Sequence, residues 1–539
     1  MAARFECDVI VVGLGPSGMM AAAFMLQRGW RVAVIERHAA LYGLPRAGHV
    51  DHEIVRFMQE LGVSQPFLDD AYPIGSYRWF NGQGDILLEM NWGGQSVSGF
   101  NSDYMMYQPV LEDCIQSVLD RHADRLTLLR SRDVTQFSQD AQGVTCKAVD
   151  WRLVDGVPVT NANDEVIVSG KYLLAADGAR SGTREKLGIA REDLGFNEVW
   201  LDVDVRVLRP LPAMDPHQIC DPKRPAFISP LGKRHHRFEW AILPGENPAD
   251  FAQPDMAWKL LAGEKVGPED VEIVRQQVYV FEARIAEQWQ DDRIFLLGDA
   301  AHTMPPFMGQ GACAGMRDAV NLSWKLDLVL AGRAPEAILA SYQTEREPHA
   351  RTWVELSMRT GEVSCTLDVE AAAQRDAMLL AGEAPPMPDF PDLTAGILDS
   401  RPEGDGHRLA GTLFPQREVS AGGRSGWIDD VIGTGFRLVT WDLDHDHLFS
   451  SEQQAFLASI NTRHIALGQT GIGGQRVIDD SGFYRAWMAE SGLVGLIVRP
   501  DHYIFGVAAD AADLPWLVDS LRARIGNPAM ANKLVSERA

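Results

Sequence analysis

The sequence has 539 residues, more than the ~250 to 300 that one hydrophobic core usually serves, so we expect two or three domains. Fifty Lys and Arg against 74 Asp and Glu give a net charge of −24, which argues against binding to nucleic acid or to an anionic membrane surface. The six cysteines are scattered and no long apolar run occurs, so we expect no metal site, no disulfide scaffold and no membrane span, in a soluble cytoplasmic protein.

The first forty residues predict a unit that binds an adenine dinucleotide. An apolar strand over residues 8–12 runs into a turn and a helix whose residues favour phosphate binding: Gly13, Gly15, Pro16, Ser17 and Gly18. The next strand ends at Glu36, about 20 residues after the glycines, where a carboxylate can accept both hydroxyl groups of a ribose. A 2′-phosphate would be repelled there, so FAD and NAD both fit.

A second signal far downstream favours FAD. A strand over residues 293–297 leads to Asp299, then to a loop with Pro306, and then to the glycines that open a helix. Asp299 can bond a ribityl hydroxyl, and the free N–H groups at the start of that helix can stabilise negative charge on a reduced flavin. Residues 471–474 lack the third glycine of a second fingerprint, so NADH or NADPH would bind only transiently.

With Asp177-Gly178 between these two signals, three ordered motifs resemble those of the class A flavoprotein aromatic hydroxylases, which are FAD-dependent monooxygenases. Residues 107–109, 309–311, 315–319 and 321–326 are similar to the 3-(3-hydroxyphenyl)propionate hydroxylase and phenol hydroxylase branch. The resemblance implies hydroxylation of a phenolic or other electron-rich aromatic substrate, such as a phenylpropanoid acid, with NAD(P)H and O2 through a C4a-hydroperoxyflavin. Two alternatives stay open: tailoring of a larger polycyclic natural product, and a flavin-binding protein with a non-hydroxylating oxidoreductase role.

The resemblance also implies which residues hold the non-covalent FAD. Arg46 and Gln108 would contact the pyrophosphate and ribityl region, while Asp177 would lie near the flavin or merely cap a helix. The expected contacts beyond the first glycine turn are Glu36, Arg37, Arg46, Gln108, Asp177, Gly178, Asp299 and the backbone of Gln310, Gly311 and Ala312.

A phenolic substrate usually needs a group that withdraws its proton. His49, Asp51 and His52 follow Arg46 and are candidates, although Asp51 could simply cap a helix predicted over residues 51–61. The backbone of Pro306 is expected on the substrate side of the flavin.

The sequence offers only weak candidates for substrate contacts. His235, His236 and Arg237 could bind an anionic group such as a carboxylate, or could form a solvated basic turn. Trp240 could line an aromatic pocket or belong to the core.

The fold class is α/β: a Rossmann-type FAD-binding domain with an inserted β-rich substrate domain and a C-terminal domain that resembles thioredoxin but contains no cysteine. That last domain would be structural or a subunit contact, and we expect a homodimer. The expected boundaries are residues 1–75, 101–197 and 285–360 for FAD, 76–100 and 198–284 for the β-layer, 361–394 for a helical linker with a proline run at 385–391, and 395–539 for the last domain.

Overall fold

The structure is a computed structural model that describes residues 2–154, 156–211, 215–384, 390–399, 409–443, 448–468 and 476–526. Pro385, Pro386 and Pro388 of the expected linker, and residues 471–474, lie outside the described residues. The chain divides into two compact units. Unit 1 comprises Met1–Gln95, Asn101–Ala319 and Ala350–Asp389, and unit 2 comprises Ser96–Phe100, Val320–His349 and Phe390–Ala539. The described FAD and β-layer segments thus fall largely within unit 1, while residues 320–349 fall in unit 2.

The strands of unit 1 are β1 Ala3–Glu6, β2 Val9–Val12, β3 Val32–Ile35, β4 His49–Asp51, β5 Tyr72–Pro73, β6 Ser76–Phe80, β7 Ile86–Asn91, β8 Asp103–Met105, β9 Leu126–Leu129, β10 Arg132–Asp140, β11 Gly143–Val154, β12 Val157–Gly170, β13 Tyr172–Ala175, β14 Arg191–Val207, β15 His217–Ile219, β16 Ala226–Leu231, β17 His235–Ala241, β18 Val271–Ala286, β19 Gln290–Asp291, β20 Ile294–Leu296 and β21 His302–Thr303. The strands of unit 2 are β22 Glu418–Ala421, β23 Arg424–Trp427, β24 Arg437–Trp441, β25 Arg463–Gly468, β26 Arg476–Asp479, β27 Gly495–Val498 and β28 Ile504–Ala508.

The helices are α1 Pro16–Gln27, α2 His52–Glu60, α3 Ser64–Leu68, α4 Gln108–Arg121, α5 Gly182–Leu187, α6 Pro248–Phe251, α7 Pro254–Gly263, α8 Gly311–Leu330, α9 Ser341–Ser364, α10 Val369–Leu380, α11 Ile428–Ile432, α12 Ser451–Ser459, α13 Phe483–Glu490 and α14 Asp513–Gly526. Short 3-10 turns occur at Gly298–Ala300, Pro306–Met308 and Glu336–Ala340. Among the described residues, none of the helices is long and apolar enough to cross a membrane, and no group of His, Cys, Asp or Glu could hold a metal ion.

The cofactor sheet of unit 1 has the strand order β19-β20-β13-β2-β3-β9, and all its pairings are parallel except that of β19 with β20. Every residue of β2 and β3 is buried, because a parallel sheet in an α/β fold is covered on both faces. The predicted strand, glycine turn, helix and second strand are confirmed here as β2, α1 and β3. The turn therefore lies at the carboxyl edge of the sheet, where such folds bind ligands.

An eight-stranded sheet with the order β21-β18-β14-β17-β16-β15-β6-β7 forms the expected β-rich layer. One face carries Leu201, Val203, Phe238 and Trp240, which pack on apolar residues of the α6–α7 segment. Because side chains alternate along a strand, the other face carries Asp202, Asp204, Arg237 and Glu239. A sheet with one apolar face and one polar face has its polar face available for a site.

Two smaller sheets complete unit 1, with the orders β1-β12-β11-β10 and β4-β8-β5. The distal residues of the β11–β12 hairpin are exposed on both faces of the ribbon, so they lack the alternation of apolar and polar residues that would have predicted a long hairpin.

Unit 2 contains a mixed sheet with the order β23-β22-β26-β25-β24-β27-β28. β24 and β25 are parallel and joined through α12, whereas β27 and β28 form an antiparallel hairpin that α14 follows. Apolar runs over residues 436–441, 464–467 and 494–498 predict three strands, and the sequence over 511–525 predicts a helix. These elements correspond to β24, β25, β27 and α14.

Unit 2 contains a buried ion cluster. One carboxylate oxygen of Glu345 accepts from Arg499 at 2.6 Å, from Asn321 at 2.7 Å and from Lys325 at 2.9 Å. The other accepts from the backbone N–H of Ile397 at 2.7 Å. Burial opposes the charge, but Arg499 and Lys325 outweigh it and lower the pKa of Glu345 to about 2.

All six cysteines are free and buried. Burial raises the pKa of each thiol, to about 12 in Cys7, Cys146 and Cys220 and to about 11 in Cys114. These thiols are therefore apolar packing groups at neutral pH.

Candidate active site

The glycine turn between β2 and α1 separates into packed and open positions. A Cβ on Gly13 would strike the carbonyl of Ala176, and one on Gly18 would strike the carbonyl of Gly13. A Cβ on Gly15 would meet no described atom within 4 Å. The first and third glycines thus let the backbone pack, while Gly15 faces open space at the N-terminus of α1, where a pyrophosphate fits.

Two other residues of this turn have structural contacts of their own. Pro16 occupies the first position of α1, where its missing N–H costs no helical hydrogen bond. The hydroxyl of Ser17 packs so closely against Gly298 and Gly315 that a Cβ at either position would clash with it. The turn is therefore held against the downstream motif at Gly298-Asp299.

Glu36 lies at the carboxyl end of β3, beside the glycine turn. Its carboxylate accepts from the backbone N–H of Leu14 at 2.7 Å and of His38 at 2.8 Å. The neighbouring Arg37 donates to the carbonyl of Asp177 at 3.2 Å. These bonds fix the carboxylate at the position from which it would bind a ribose.

Asp177 adds to the cap of α5, whose N-cap residue is Ser181. Its carboxylate accepts from the Ser181 hydroxyl at 2.5 Å and from the backbone N–H of Thr183 at 3.0 Å, at the start of α5. Gly178 follows with φ +83°, a left-handed conformation that favours glycine. The geometry favours the capping alternative for the Asp177 side chain.

Asp299 differs from Asp177, because its exposed carboxylate has no hydrogen-bond partner among the described residues. Although the carboxylate reaches solvent, the protein atoms that surround the turn reduce its solvation and raise its pKa, against the opposing effects of His302 and Arg46. By contrast, Asp318 accepts from His302 and from the backbone of Gly298 at 2.7 and 3.1 Å, which fixes the turn. An unpaired carboxylate on a fixed turn is suited to accept from a ribityl hydroxyl.

Gln108 shapes the segment that carries Arg46. Its side-chain oxygen accepts from the backbone N–H groups of Arg46 and Ala47 at 2.9 and 2.8 Å, and its amide donates to Glu112 at 2.7 Å. The guanidinium of Arg46 is exposed and lies 4.2 Å from the ring centre of Tyr42. Arg46 is therefore available to an anionic ligand, while Gln108 is committed to the backbone.

His49 supports the loop that precedes α8. Its Nε2 lies 2.9 Å from a carboxylate oxygen of Asp103, and its Nδ1 lies 3.1 Å from the carbonyl of Gly309. Burial lowers the pKa of His49, but the hydrogen bonds and charge interactions with Asp103 and Cys313 together outweigh this effect and hold the pKa well above its usual range.

Asp51 caps α2, as its alternative role predicted. Its carboxylate accepts from the backbone N–H groups of Glu53 and Ile54 and is paired with Arg317. Against its own burial, Arg317 lowers the pKa of Asp51 to about 2. A buried carboxylate of such low basicity is a poor proton acceptor at neutral pH.

Sequence reasoning missed Arg317, although it lies within the family-like stretch 315–319. Besides Asp51, its guanidinium donates to Glu53 at 2.5 Å and to the side chain of Gln310 at 2.9 Å. His52 is buried beside this cluster, and burial lowers its pKa. Residues 49–53 thus hold Gly309 and Gln310, the backbone expected at the flavin edge.

Of the two alternatives for residues 235–237, the solvated basic turn is wrong, because these residues begin β17. His235 stacks on Tyr107 with ring centres 3.8 Å apart, and burial lowers the pKa of His236 to about 3. Arg237 is paired with Asp204 at 2.7 Å and donates to the carbonyls of Arg46 and Pro45. Since Asp204 already neutralises it, Arg237 has no free charge for a substrate carboxylate.

Trp240 lies in the apolar core on the opposite face of the sheet, so the core alternative is the one observed. The polar face carries a different aromatic group. Trp200 and Phe281 pack against Phe307, with ring centres 5.8 and 6.3 Å from that of Phe307. Phe307 belongs to the turn Pro306–Met308, in which Pro306 is exposed. The β-layer therefore meets the loop that precedes α8 through aromatic side chains.

These features fit an FAD. Gly15 and the N-terminus of α1 would take the pyrophosphate, Glu36 the ribose and Asp299 the ribityl chain. The N-terminus of α8 offers the N–H groups of Gly311 and Ala312 to an electron-rich edge of the ring.

Comparison with known proteins agrees with this fit. The family described as "FAD binding domain" matches residues 6–357, and the "HcaD C-terminal domain" family matches residues 411–524. A probable NADH-specific resorcinol 4-hydroxylase from Rhodococcus jostii (strain RHA1) is 37% identical over 97% of this chain and 96% of the relative. A 3-(3-hydroxy-phenyl)propionate/3-hydroxycinnamic acid hydroxylase from Comamonas testosteroni is 30% identical over 94% of this chain and 95% of the relative.

Solved structures extend the likeness to the whole fold. A ternary complex of aklavinone-11 hydroxylase with FAD and aklavinone has a TM-score of 0.76 at 25% identity, over 97% of this chain and 99% of the other. The flavin-dependent monooxygenase PieE with FAD and substrate has a TM-score of 0.77 at 20% identity, also over 97% and 99%.

Proposed function

Because the chain belongs to the FAD-binding-domain family and is an FAD-dependent aromatic monooxygenase, we propose that it hydroxylates a single-ring phenol with NADH and O2. The observation that carries the proposal is the aromatic contact of Phe307 with Trp200 and Phe281, which joins the β-layer to the loop beside the expected flavin. Bound FAD would supply the redox chemistry, taking a hydride from NADH and activating O2.

The residues of this chain would bind and orient the cofactor and would shield the reacting ring from water. Asp299 and the α8 N-terminus would position the cofactor, and the aromatic residues around Phe307 would keep water from the reacting ring. Resorcinol and 3-(3-hydroxyphenyl)propionate, in the names of the two relatives, are both single-ring phenols. The preference for NADH over NADPH is supported by the NADH-specific relative.

We infer that His49, Asp51 and His52 position the flavin loop rather than act as general base. Both nitrogens of His49 face acceptors and Asp51 is paired with Arg317, so neither is free to take a proton from a phenol. Asp51→Asn and His52→Gln should then leave the pH dependence of hydroxylation in place while weakening FAD binding. A pH profile that loses one limb in either variant would assign that residue to proton transfer.

A larger polycyclic substrate is the second candidate, because the likeness to aklavinone-11 hydroxylase covers 97% of this chain. The two candidates differ in ring count, so a panel of phenols, phenylpropanoid acids and anthracycline-type polyketides separates them.

Unit 2 is proposed to be a thioredoxin-like domain with a structural role. The support is its β24-α12-β25 unit followed by the β27–β28 hairpin and α14, together with the absence of cysteine from the sequence after Cys365. We also propose a cytoplasmic homodimer, which size-exclusion chromatography with light scattering would test.

The function is tested by measuring NADH and NADPH oxidation by the purified FAD-loaded protein with the panel of phenols, phenylpropanoid acids and anthracycline-type polyketides. We expect a phenol to stimulate NADH oxidation and to yield a product heavier by one oxygen atom. If no aromatic compound raises oxidation above the substrate-free rate, the protein is not a hydroxylase of that panel.

A further inference from the structure

Two carboxylates face each other on the polar face of the β-layer. Asp202 of β14 and Glu239 of β17 are direct partners in the antiparallel register. Their residues are only 3% and 5% exposed. Opposed like charges destabilise a sheet, so their burial as a pair calls for an explanation.

The pair lies between two places where this face meets the cofactor elements. Two residues before Asp202, Trp200 contacts Phe307 of the flavin loop. Two residues after it, Asp204 holds Arg237, which donates to the carbonyls of Pro45 and Arg46. Residues i and i+2 of a strand share one face. Asp202 and Glu239 therefore lie between these two contacts, on the face of the sheet that meets the cofactor elements.

The two carboxylates have unused hydrogen-bonding capacity. Oδ1 of Asp202 is buried without a partner in the described part of the chain. The cations nearby are directed elsewhere. Arg275 approaches Asp202 only to 3.8 Å and Arg237 approaches Glu239 only to 3.5 Å, while both bind Asp204 at 2.7 Å.

An independent polar group lies on the same cross-strand row. Gln218 of β15 pairs with Phe227, which in turn pairs with Glu239. Gln218 is 1% exposed, and its side-chain N–H group has no partner among the described residues. A buried donor and a buried acceptor without partners on one face are typical of a site whose ligand completes the hydrogen bonds.

We propose that Asp202 and Glu239 accept hydrogen bonds from the two hydroxyl groups of a neutral dihydroxybenzene and thereby determine substrate specificity, an assignment that rests on the proposed function. Each phenolic O–H donates to one of the two carboxyl groups, and the amide N–H of Gln218 donates to a phenolic oxygen. A hydrogen bond to a carboxylate also increases the electron density of the ring that receives the oxygen atom.

The same arrangement selects against aryl carboxylates. Both arginines of these rows are paired with Asp204, and burial lowers the pKa of the nearby His235, so that this imidazole is mostly uncharged at neutral pH. A substrate carboxylate would meet the negatively charged Asp202, which costs affinity. Burial raises the pKa of Asp202 to about 6 against the influence of Arg237, so this carboxyl is mostly ionised at neutral pH and accepts hydrogen bonds. Burial, together with the charge of Asp202, raises the pKa of Glu239 well above its usual range, so the pair carries less than two negative charges.

The test measures substrate affinity from the change in the flavin absorption spectrum, with resorcinol and 3-(3-hydroxyphenyl)propionate as probes on the FAD-loaded protein. We expect the wild type to bind resorcinol more tightly. Asp202→Asn and Glu239→Gln should each weaken resorcinol binding about 10-fold or more with FAD content unchanged. Glu272→Gln, an exposed carboxylate on β18 of the same sheet, is the matched control.

The outcomes separate this inference from the proposed function. Hydroxylation of the arylpropionate in preference to resorcinol by the wild type would overturn the role of the pair and keep the hydroxylase. Unchanged resorcinol affinity in both variants would overturn it too. The wild-type preference needs no variant to fold, so the inference is tested even if a substitution prevents folding.

Discussion

His49 and Asp103 form a buried pair beneath the loop that leads into α8. The Asp103 carboxylate and the Gly309 carbonyl are both acceptors, so each ring nitrogen of His49 must carry a hydrogen to satisfy them. The side chain of His49 is therefore an imidazolium. Its positive charge contacts Gly309, the residue that precedes Gln310 of the flavin-edge backbone.

Asp103→Asn should destabilise the protein most at low pH. The folded-state pKa of His49 is raised, so its contribution is complete below the unfolded-state value of about 6.5 and is lost as the pH rises through the folded value. Loss of a buried charge partner costs about 3 to 5 kcal/mol. Thermal unfolding of wild type and variant at pH 6 and pH 9 checks this, with the exposed Glu89→Gln as control. An equal difference in Tm at the two pH values would contradict the charged state.

Gly15→Ala and Gly18→Ala should affect different properties: the first should lower FAD affinity and the second should lower the stability of the apoprotein. A methyl at Gly15 meets open space, so the apoprotein should keep its Tm while FAD affinity falls. A methyl at Gly18 would strike the Gly13 carbonyl, so the apoprotein itself should lose stability. Calorimetry of the apoproteins and FAD titration by fluorescence distinguish the two. A Gly15→Ala apoprotein as unstable as Gly18→Ala would refute the assignment of open space.

Asp299→Asn should weaken FAD binding without destabilising the apoprotein. Because the folded-state pKa of Asp299 is raised, its charge opposes folding above the unfolded-state pKa, and removing that charge at pH 7 should leave the Tm equal or higher. The lost charged acceptor should reduce FAD affinity about 10-fold. A lower apoprotein Tm in the variant would show that Asp299 has a stabilising partner.

The sequence predicted the cofactor elements well and the substrate face poorly. The glycine turn, Glu36 and Asp299 belong to local sequence patterns in which strand, turn and helix follow one another. Their positions could therefore be predicted from the neighbouring residues alone. The roles of Arg317 and Asp103 depend on residues about 50 to 260 positions away, and no local pattern encodes such partners. The basic run at 235–237 resembled a solvated turn, because the neutralising Asp204 lies on another strand of the sheet.

Glu345→Gln should destabilise unit 2 by about 3 to 5 kcal/mol, because Arg499 and Lys325 would stay buried without their shared carboxylate. The folded-state pKa of Glu345 is about 2, so its contribution is present above the unfolded-state value of about 4.5 and disappears as the pH falls toward 2. The stability difference from wild type should therefore shrink below pH 4. Glu355→Gln, an exposed position on the same helix, should leave the free energy of unfolding unchanged.

The burial of all six cysteines bears on how long the enzyme survives its own side reaction. A flavin monooxygenase that turns over without transferring oxygen releases hydrogen peroxide, and peroxide oxidises thiolates far faster than thiols. With every thiol buried and its pKa raised, the protein offers that oxidant no reactive thiolate in the folded state. Wasteful turnover should therefore consume NADH without inactivating the catalyst through its cysteines.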